Sequence, residues 1–224
     1  MKIETHLHTS ESSPCASIPA REMVHKYVRA GYDIVVVTDH YNDWARQQFS
    51  CDTWEDYARQ AVKGYQAACE AVRNEQLPLR ILYGVEIALS GSPNDYLVYG
   101  ATPEWLSAHP DVCTLSLKEL SELVHRENML LFQAHPFRTY CTPADPQYLD
   151  GAERYNGNPR HDNRNDQASA WIDAHGLSDS SGSDFHDEGD EARGGIITQT
   201  PVHSEAELAE VYRSGTYRLI RASE

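Results

Sequence analysis

The chain predicts an α/β domain in which a parallel sheet is covered by helices, and three observations carry that prediction. Strand-like and helix-like segments alternate from one end to the other. The run Ile34-Val35-Val36-Val37 is continuously β-branched, the pattern of a strand buried on both faces. Residues able to bind metals recur just after such runs, the end at which barrels of parallel strands place their chemistry. Its 224 residues suffice for one large core and are few for two, so a single domain over 1–224 is expected.

Residues 3–7 form a short strand that closes on His6-Leu7-His8, followed by the small polar loop 9–17. Pro19 opens and Gly31 ends a helix with Met23, Tyr27, Val28 and Ala30 as its apolar stripe. The strand 33–37 follows and delivers Asp39-His40. Tyr57, Ala61, Tyr65, Ala68 and Val72 recur at helical spacing, which predicts one long helix over 53–76, stopped by Pro78. Strands at 80–85 and 95–100 come next, the first ending at Glu86. Ser116 and Glu119 make a capping box for a helix carrying Leu117, Leu120, Leu123 and Val124, and the strand 130–132 leads to His135. A weaker strand at 151–155, a turn-rich loop at 156–163, a helix at 165–175 ended by Gly176 and a short strand bring the chain to Asp184-Phe185-His186. A last helix opens at Ser204. Ligands from the first to the last strand must meet at one place, and an open sheet would hold its edges too far apart, which favours a closed barrel.

Composition narrows the function. Hydrophobic residues at 40% and charged residues at 24% describe an ordinary globular enzyme. A net charge of -15 makes nucleic acid an unsuitable standing partner, and carboxylates gathered for divalent cations would account for part of the excess. The five cysteines are odd in number, widely spaced and without a Cys-x-x-Cys pair, so they read as reduced structural thiols. No apolar leader and no membrane-spanning run is visible, and a cytoplasmic location is the default expectation.

The imidazoles of His6 and His8 leave the same face of a strand and make half a tetrahedral metal site. His40, Glu86, His135, Asp184 and His186 each follow a strand-like run and supply the remainder. A lone histidine is more often a core or surface residue than a ligand, but that reading must explain this whole set at once. Asp39 can cap a turn, orient an imidazole or protonate a leaving group. Arg138, Arg160 and Arg193 follow strand ends and can fork onto phosphate oxygens or form ordinary surface ion pairs. His161 falls in a loop expected at the mouth of the site, and Gly194-Gly195 reads as a tight backbone turn.

Taken together, His6-x-His8, Thr38-Asp39-His40, Gly84-Val85-Glu86, Ala134-His135-Pro136 and Gly182-Ser183-Asp184-Phe185-His186 resemble the polymerase and histidinol phosphatase (PHP) domains over nearly the whole chain. The resemblance implies a distorted (β/α)7 barrel holding two or three divalent ions (Mn, Zn or Fe) and a phosphoesterase activity. It implies His6, His8, Glu86 and Asp184 as ligands of one ion, Glu86 bridging to a second that uses His135, and His40 with His186 on a third. Two positions depart from the family pattern. Asp95 stands where many members have a histidine and is the substitute ligand for the second ion, and Glu11 is the nearest candidate for the missing third-ion ligand after His8.

The expected reaction is hydrolysis of a small phosphorylated metabolite, a monoester or a cyclic diester, by hydroxide formed between two ions bridged by Glu86. Asp39, Glu86 and His186 are the expected catalytic residues, and Arg138, Arg160 and Arg193 the phosphate contacts. Two rivals are an amidohydrolase acting on a C–N or carboxylic ester bond, and a non-catalytic metal-binding accessory domain.

Overall fold

A computed structural model describes residues 1–222. Its first sheet contains β1 (Lys2–Glu4), β2 (Ile34–Val37), β4 (Arg80–Tyr83), β10 (Ile196–Thr198) and β11 (Tyr217–Leu219), in the order β11-β10-β1-β2-β4. The second contains β3 (His40–Tyr41), β5 (Val85–Ala88), β6 (Asp95–Tyr99), β7 (Leu130–Gln133), β8 (Gly151–Asn156) and β9 (Ser178–Gly182), in the order β3-β5-β6-β7-β8-β9. The two are linked on both sides. Gly84 N–H donates to Val37 O at 2.9 Å and Glu86 N–H to Asp39 O at 3.2 Å, carrying the β2/β4 pairing into β3/β5. On the other side the residues just after β1 meet those just after β9: Leu7 bridges Phe185 in parallel, with Asp184 N–H donating to His6 O at 2.8 Å and His8 N–H to Phe185 O at 2.9 Å.

The sheets are mixed, which corrects the expectation of an all-parallel arrangement. β6 runs antiparallel to β5 and to β7, and β10 antiparallel to β1 and β11. The reason for β6 lies in the connection: residues 89–94 are too few for the crossover a parallel neighbour needs, so the chain must turn straight back. That reversal puts the start of β6, and with it Asp95, at the same end as the tips of its parallel neighbours.

Eight α-helices among the described residues surround the strands: α1 (Ala20–Arg29), α2 (Asp43–Gln48), α3 (Trp54–Ala61), α4 (Lys63–Glu75), α5 (Pro103–Ala108), α6 (Leu117–Arg126), α7 (Asn165–His175) and α8 (Glu205–Ser214). β2 is sandwiched as its composition demands. Val35 and Val37 pack with Met23, Tyr27 and Ala68 of α1 and α4, while Ile34 and Val36 join a cluster with Leu97, Phe132 and Tyr212. None of the described helices is long and apolar enough to cross a membrane.

The single helix expected over 53–76 is two, broken at Val62. The break lets Gly64 come against the loop after His8: its N–H donates to Ser12 Oγ at 2.8 Å, and a Cβ there would collide with Thr9 Oγ1 and Asp39 Oδ2. The capping box at Ser116 and Glu119 is complete, and Gly176 ends α7 in the left-handed conformation.

Candidate metal centre

The strand tips deliver a dense set of lone pairs to one place. His6 Nε2 lies 3.1 Å from His8 Nε2, 3.3 Å from Glu86 Oε1 and 3.5 Å from Asp184 Oδ1. His8 Nε2 lies 3.3 Å from both Glu86 Oε2 and Asp184 Oδ1. All four side chains are buried. His135 Nε2 sits 3.2 Å from Glu86 Oε1 and 3.8 Å from Asp95 Oδ2, and His40 Nδ1 is 2.9 Å from Glu86 Oε2. Ligand atoms of His8, His40 and His186 also fall within 4.8 Å of one another. Glu86 thus lies between four imidazoles, those of His6, His8, His40 and His135.

The hydrogen bonds behind the imidazoles fix which nitrogen faces inward. A Glu153 carboxylate oxygen accepts from His6 Nδ1 at 2.8 Å, so the proton sits on Nδ1 and the Nε2 lone pair points into the cluster. Ser13 Oγ donates to Asp39 Oδ1 at 2.7 Å and accepts from His40 N–H at 3.0 Å, and its remaining contact, at 3.3 Å, is with His8 Nδ1. His8 Nδ1 is thus the donor, and its Nε2 also presents a lone pair. Two lone pairs and two carboxylates in contact require a cation among them. Without a metal a proton must serve, and the His6 pKa is raised well above the ordinary value: burial opposes this, and the Glu153, Glu86 and Asp184 charges overcome it. His8 is pushed down by burial and by the neighbouring His186 and His40. The orphaned Glu86 Oε2 and His40 Nδ1, both buried without a hydrogen-bond partner, complete the fit to divalent ions.

Backbone strain concentrates here too. His135 and Asp184 have φ of 28° and 50°, a region non-glycine residues seldom enter. Gly182 is required beside them, because a Cβ there would strike His6 Cβ.

The cluster opens into a cavity of about 310 Å³ lined by Cys15, His40, Asn42, Trp44, Asp95, His135, Arg138, Tyr140, Arg160, His161, Asp184 and His186. Arg138 is locked in its wall, with Nη2 donating to Asp184 Oδ2 at 2.5 Å and Asn156 Oδ1 at 3.1 Å, and Nε to Asn163 Oδ1 at 2.8 Å. Arg160 is anchored by Asp187 and Asp190 at the rim. Trp44 and Tyr140 at the mouth are 48% and 54% exposed, the large apolar side chains left most open among the described residues.

Three expected site residues lie elsewhere. Both carboxylate oxygens of Glu11 accept from Ala20 N–H, at 3.0 and 2.9 Å, so Glu11 caps α1 and is no member of the cluster. Asp39 accepts from Thr9 N–H at 2.7 Å, Thr9 Oγ1 at 2.8 Å and Ser13 Oγ at 2.7 Å, and does not line the cavity. It anchors the loop after His8; burial pushes its pKa up to about 7 against those hydrogen bonds. Arg193 donates through Nε to Gly157 O at 2.8 Å and braces the 156–163 loop from behind. Gly194-Gly195 lets the chain pack against Gly182 and Ile3, in keeping with a tight backbone passage.

Other residues enter that the sequence reading passed over. Glu153 orients His6 and accepts from His135 N–H at 2.9 Å. Cys15 faces His40 and His186, whose charges, against the effect of burial, bring its thiol down to about 6. Cys141 is the contrasting case, 3.6 Å from His135 Nδ1 and pushed by burial up to about 12. Neither Glu153 nor Cys15 carried a clear sequence signal: Glu153 lies in a strand that also holds Arg154, Tyr155 and Asn156, and Cys15 in an irregular loop.

The family model of the PHP domain matches residues 4–183. The chain belongs to the PHP domain family. No curated protein matches its sequence. Among solved structures, this PHP chain is similar to PsfC from Pseudomonas syringae PB-5123, with 15% identity and a TM-score of 0.65 over 99% of this chain and 91% of that one. It is also similar to a two-domain protein from Bacteroides vulgatus ATCC 8482 containing a predicted PHP-like metal-dependent phosphoesterase, at 17% identity and a TM-score of 0.59; 97% of this chain is covered but only 56% of that one. An amidohydrolase from Chromobacterium violaceum, solved with bound sulfate, aligns over 100% of this chain and 99% of its own at 15% identity and a TM-score of 0.54. Identities this low establish a shared α/β fold with mixed sheets.

Proposed function

We propose that this PHP domain is a metal-dependent phosphoesterase that hydrolyses a small phosphorylated metabolite, monoester or cyclic diester. The observation that carries the reading is the convergence of His6 Nε2, His8 Nε2, Glu86 and Asp184 at 3.1–3.5 Å, an assembly of acceptors that needs a cation. His6, His8, Glu86 and Asp184 would hold one ion, Glu86, His135 and Asp95 a second, and His40 with His186 a third. The His6/Phe185-side and Glu86-side strand linkages support reading the whole as a closed, distorted (β/α)7 barrel.

Divalent ions held in this site would supply activation of water near neutral pH and neutralisation of charge on the phosphoryl oxygens. The protein's own groups do the rest. Arg138 has N–H capacity left on Nη1, beyond a 3.4 Å contact to Tyr140, and is held rigid for a phosphoryl oxygen. Arg160 meets the substrate at the rim. With Asp39 engaged by the loop, we assign protonation of the leaving oxygen to His161, the cavity imidazole outside the metal clusters. Burial and nearby Arg138 lower its pKa, and an entering phosphate dianion would raise it again. A cavity of about 310 Å³ suits a metabolite-sized ligand, and Trp44 with Tyr140 would cover a ring or base on its far side. The free thiols support a reducing compartment and hence the cytoplasm, and the acidic chain supports a small-molecule partner over nucleic acid.

The test is phosphate release from sugar phosphates, nucleotides, cyclic phosphates and histidinol phosphate with added Mn, beside Glu86→Ala. The reading predicts release that chelator and the substitution abolish. Equal inactivity of both folded proteins, with turnover of amides or carboxylic esters by the wild type, would move the assignment to amidohydrolase chemistry.

A further inference from the structure

We propose that Glu4 is a positioning residue of the first metal position: the reach of its carboxylate fixes how far apart His6 and Asp184 stand. The inference rests on the metal-dependent reading above. Glu4 closes β1 and is fully buried, and the mechanism gives it no part. Its Oε1 accepts from three backbone N–H groups, those of Thr5 at 2.9 Å, His6 at 3.1 Å and Ser183 at 2.9 Å. Its Oε2 accepts from Tyr27 Oη at 3.0 Å and from the Ser183 hydroxyl. That hydroxyl in turn accepts from Arg193 N–H at 2.8 Å and Gly194 N–H at 3.0 Å, so its one proton is committed to Glu4.

These contacts join two stretches that no sheet ladder joins. β1 lies between β10 and β2, β9 lies beside β8, and the segments that follow β1 and β9 meet among the described residues at one isolated bridge, Leu7 with Phe185. Glu4 does the work of ladder bonds at this crossing. From one side it holds the His6 N–H, and from the other the N–H and hydroxyl of the residue just before Asp184. Asp184 has φ of 50°, a conformation that persists where its surroundings hold it, and Ser183 is the neighbour so held. Among the described residues the five donors to Glu4 are neutral N–H and O–H groups, so the carboxylate gathers backbone and is not half of a buried ion pair. His6 and Asp184 are both ligands of the first position; the second takes His135 and Asp95, which this crossing does not include.

Reach and charge separate by substitution. Glutamine keeps the reach: its carbonyl oxygen can accept the three N–H groups, and its NH2 faces two hydroxyls, of which Tyr27 Oη can turn to accept. Aspartate keeps the charge and is one methylene short. The experiment is calorimetric titration of the full, metal-free chain with Mn in wild type, Glu4→Gln and Glu4→Asp, with circular dichroism to show that the fold persists and anomalous diffraction from Mn-grown crystals to show which position is filled. Glu4→Asp should bind one ion roughly 10–100-fold more weakly and Glu4→Gln should bind both within about threefold of wild type. The anomalous peak among His6, His8, Glu86 and Asp184 should fade in Glu4→Asp while that among Glu86, His135 and Asp95 stays. Both ions bound tightly by Glu4→Asp, both weakened equally, or one lost in folded Glu4→Gln would overturn the positioning role and leave the metal-dependent reading intact. No Mn bound by folded wild type would overturn both.

Discussion

Replacing Glu153 by glutamine changes one atom in the buried shell and should disable the first metal position. Glu153 Oε2 accepts from two donors, His135 N–H at 2.9 Å and Asn156 Nδ2 at 2.8 Å, while Oε1 accepts from His6 Nδ1 at 2.8 Å. Glutamine has one carbonyl oxygen, which the two-donor side will claim. The amide NH2 then faces His6 Nδ1. His6 can respond by moving its proton to Nε2, which removes the lone pair from the cluster. Otherwise it keeps its tautomer with two donors opposed, a cost of about 1–3 kcal/mol. Either response weakens metal binding, by roughly 10–100-fold for outer-shell changes of this kind, or about 1.4–2.8 kcal/mol. Calorimetric titration of metal-free Glu153→Gln with Mn or Zn measures this directly, with circular dichroism to show that the fold persists. Binding as tight as wild type by the folded variant would refute the tautomer argument.

Three further outcomes follow from other parts of the molecule. Ser116→Ala should destabilise by about 1 kcal/mol through loss of the α6 cap, measured by urea unfolding. The Ser116 hydroxyl and N–H hold the Glu119 carboxyl below its usual 4.5, so this stabilisation is present above that pH; the difference between the two proteins should shrink as pH falls through the lowered value. Trp44→Ala and Tyr140→Ala should each raise KM roughly 2- to 12-fold for ring-bearing substrates, with kcat little changed; equal KM values for aryl and alkyl phosphates in wild type would argue against an aromatic clamp. His161→Gln should slow esters with poor leaving groups by about 10²-fold or more and aryl phosphates much less, and a uniform loss across leaving groups would contradict its assignment as the acid.

Much of the site was legible because its chemistry follows strand ends. His40, Glu86 and His135 were readable as polar residues just after apolar runs, and His6-x-His8 and Asp184-x-His186 by their i, i+2 spacing; the structure brings all seven together. Asp95 was legible only by its position ahead of a strand, and the antiparallel course of β6 explains why that position works. The short link at 89–94 contained the reversal, which alternation of strands and helices concealed. Glu11 and Cys15 show the opposite limit. Both lie in one irregular loop, where no period says which way a side chain points: the Ala20 N–H draws the Glu11 carboxylate to α1, while the bonds from Thr9 and Ser13 to Asp39 and from Ser17 N–H to His186 O set the course that leaves Cys15 at the cavity wall. The split at Val62 was hidden for a similar reason: apolar spacing continues through it, and the close approach of Gly64 to Thr9 belongs to tertiary structure.

The central claim is that the converging acceptors exist to hold divalent ions, and anomalous diffraction from crystals grown with Mn tests it most directly. The account predicts one peak among His6 Nε2, His8 Nε2, Glu86 and Asp184, and another among Glu86, His135 and Asp95. A map without a peak there, with His6 Nε2 and His8 Nε2 still 3.1 Å apart, would contradict it.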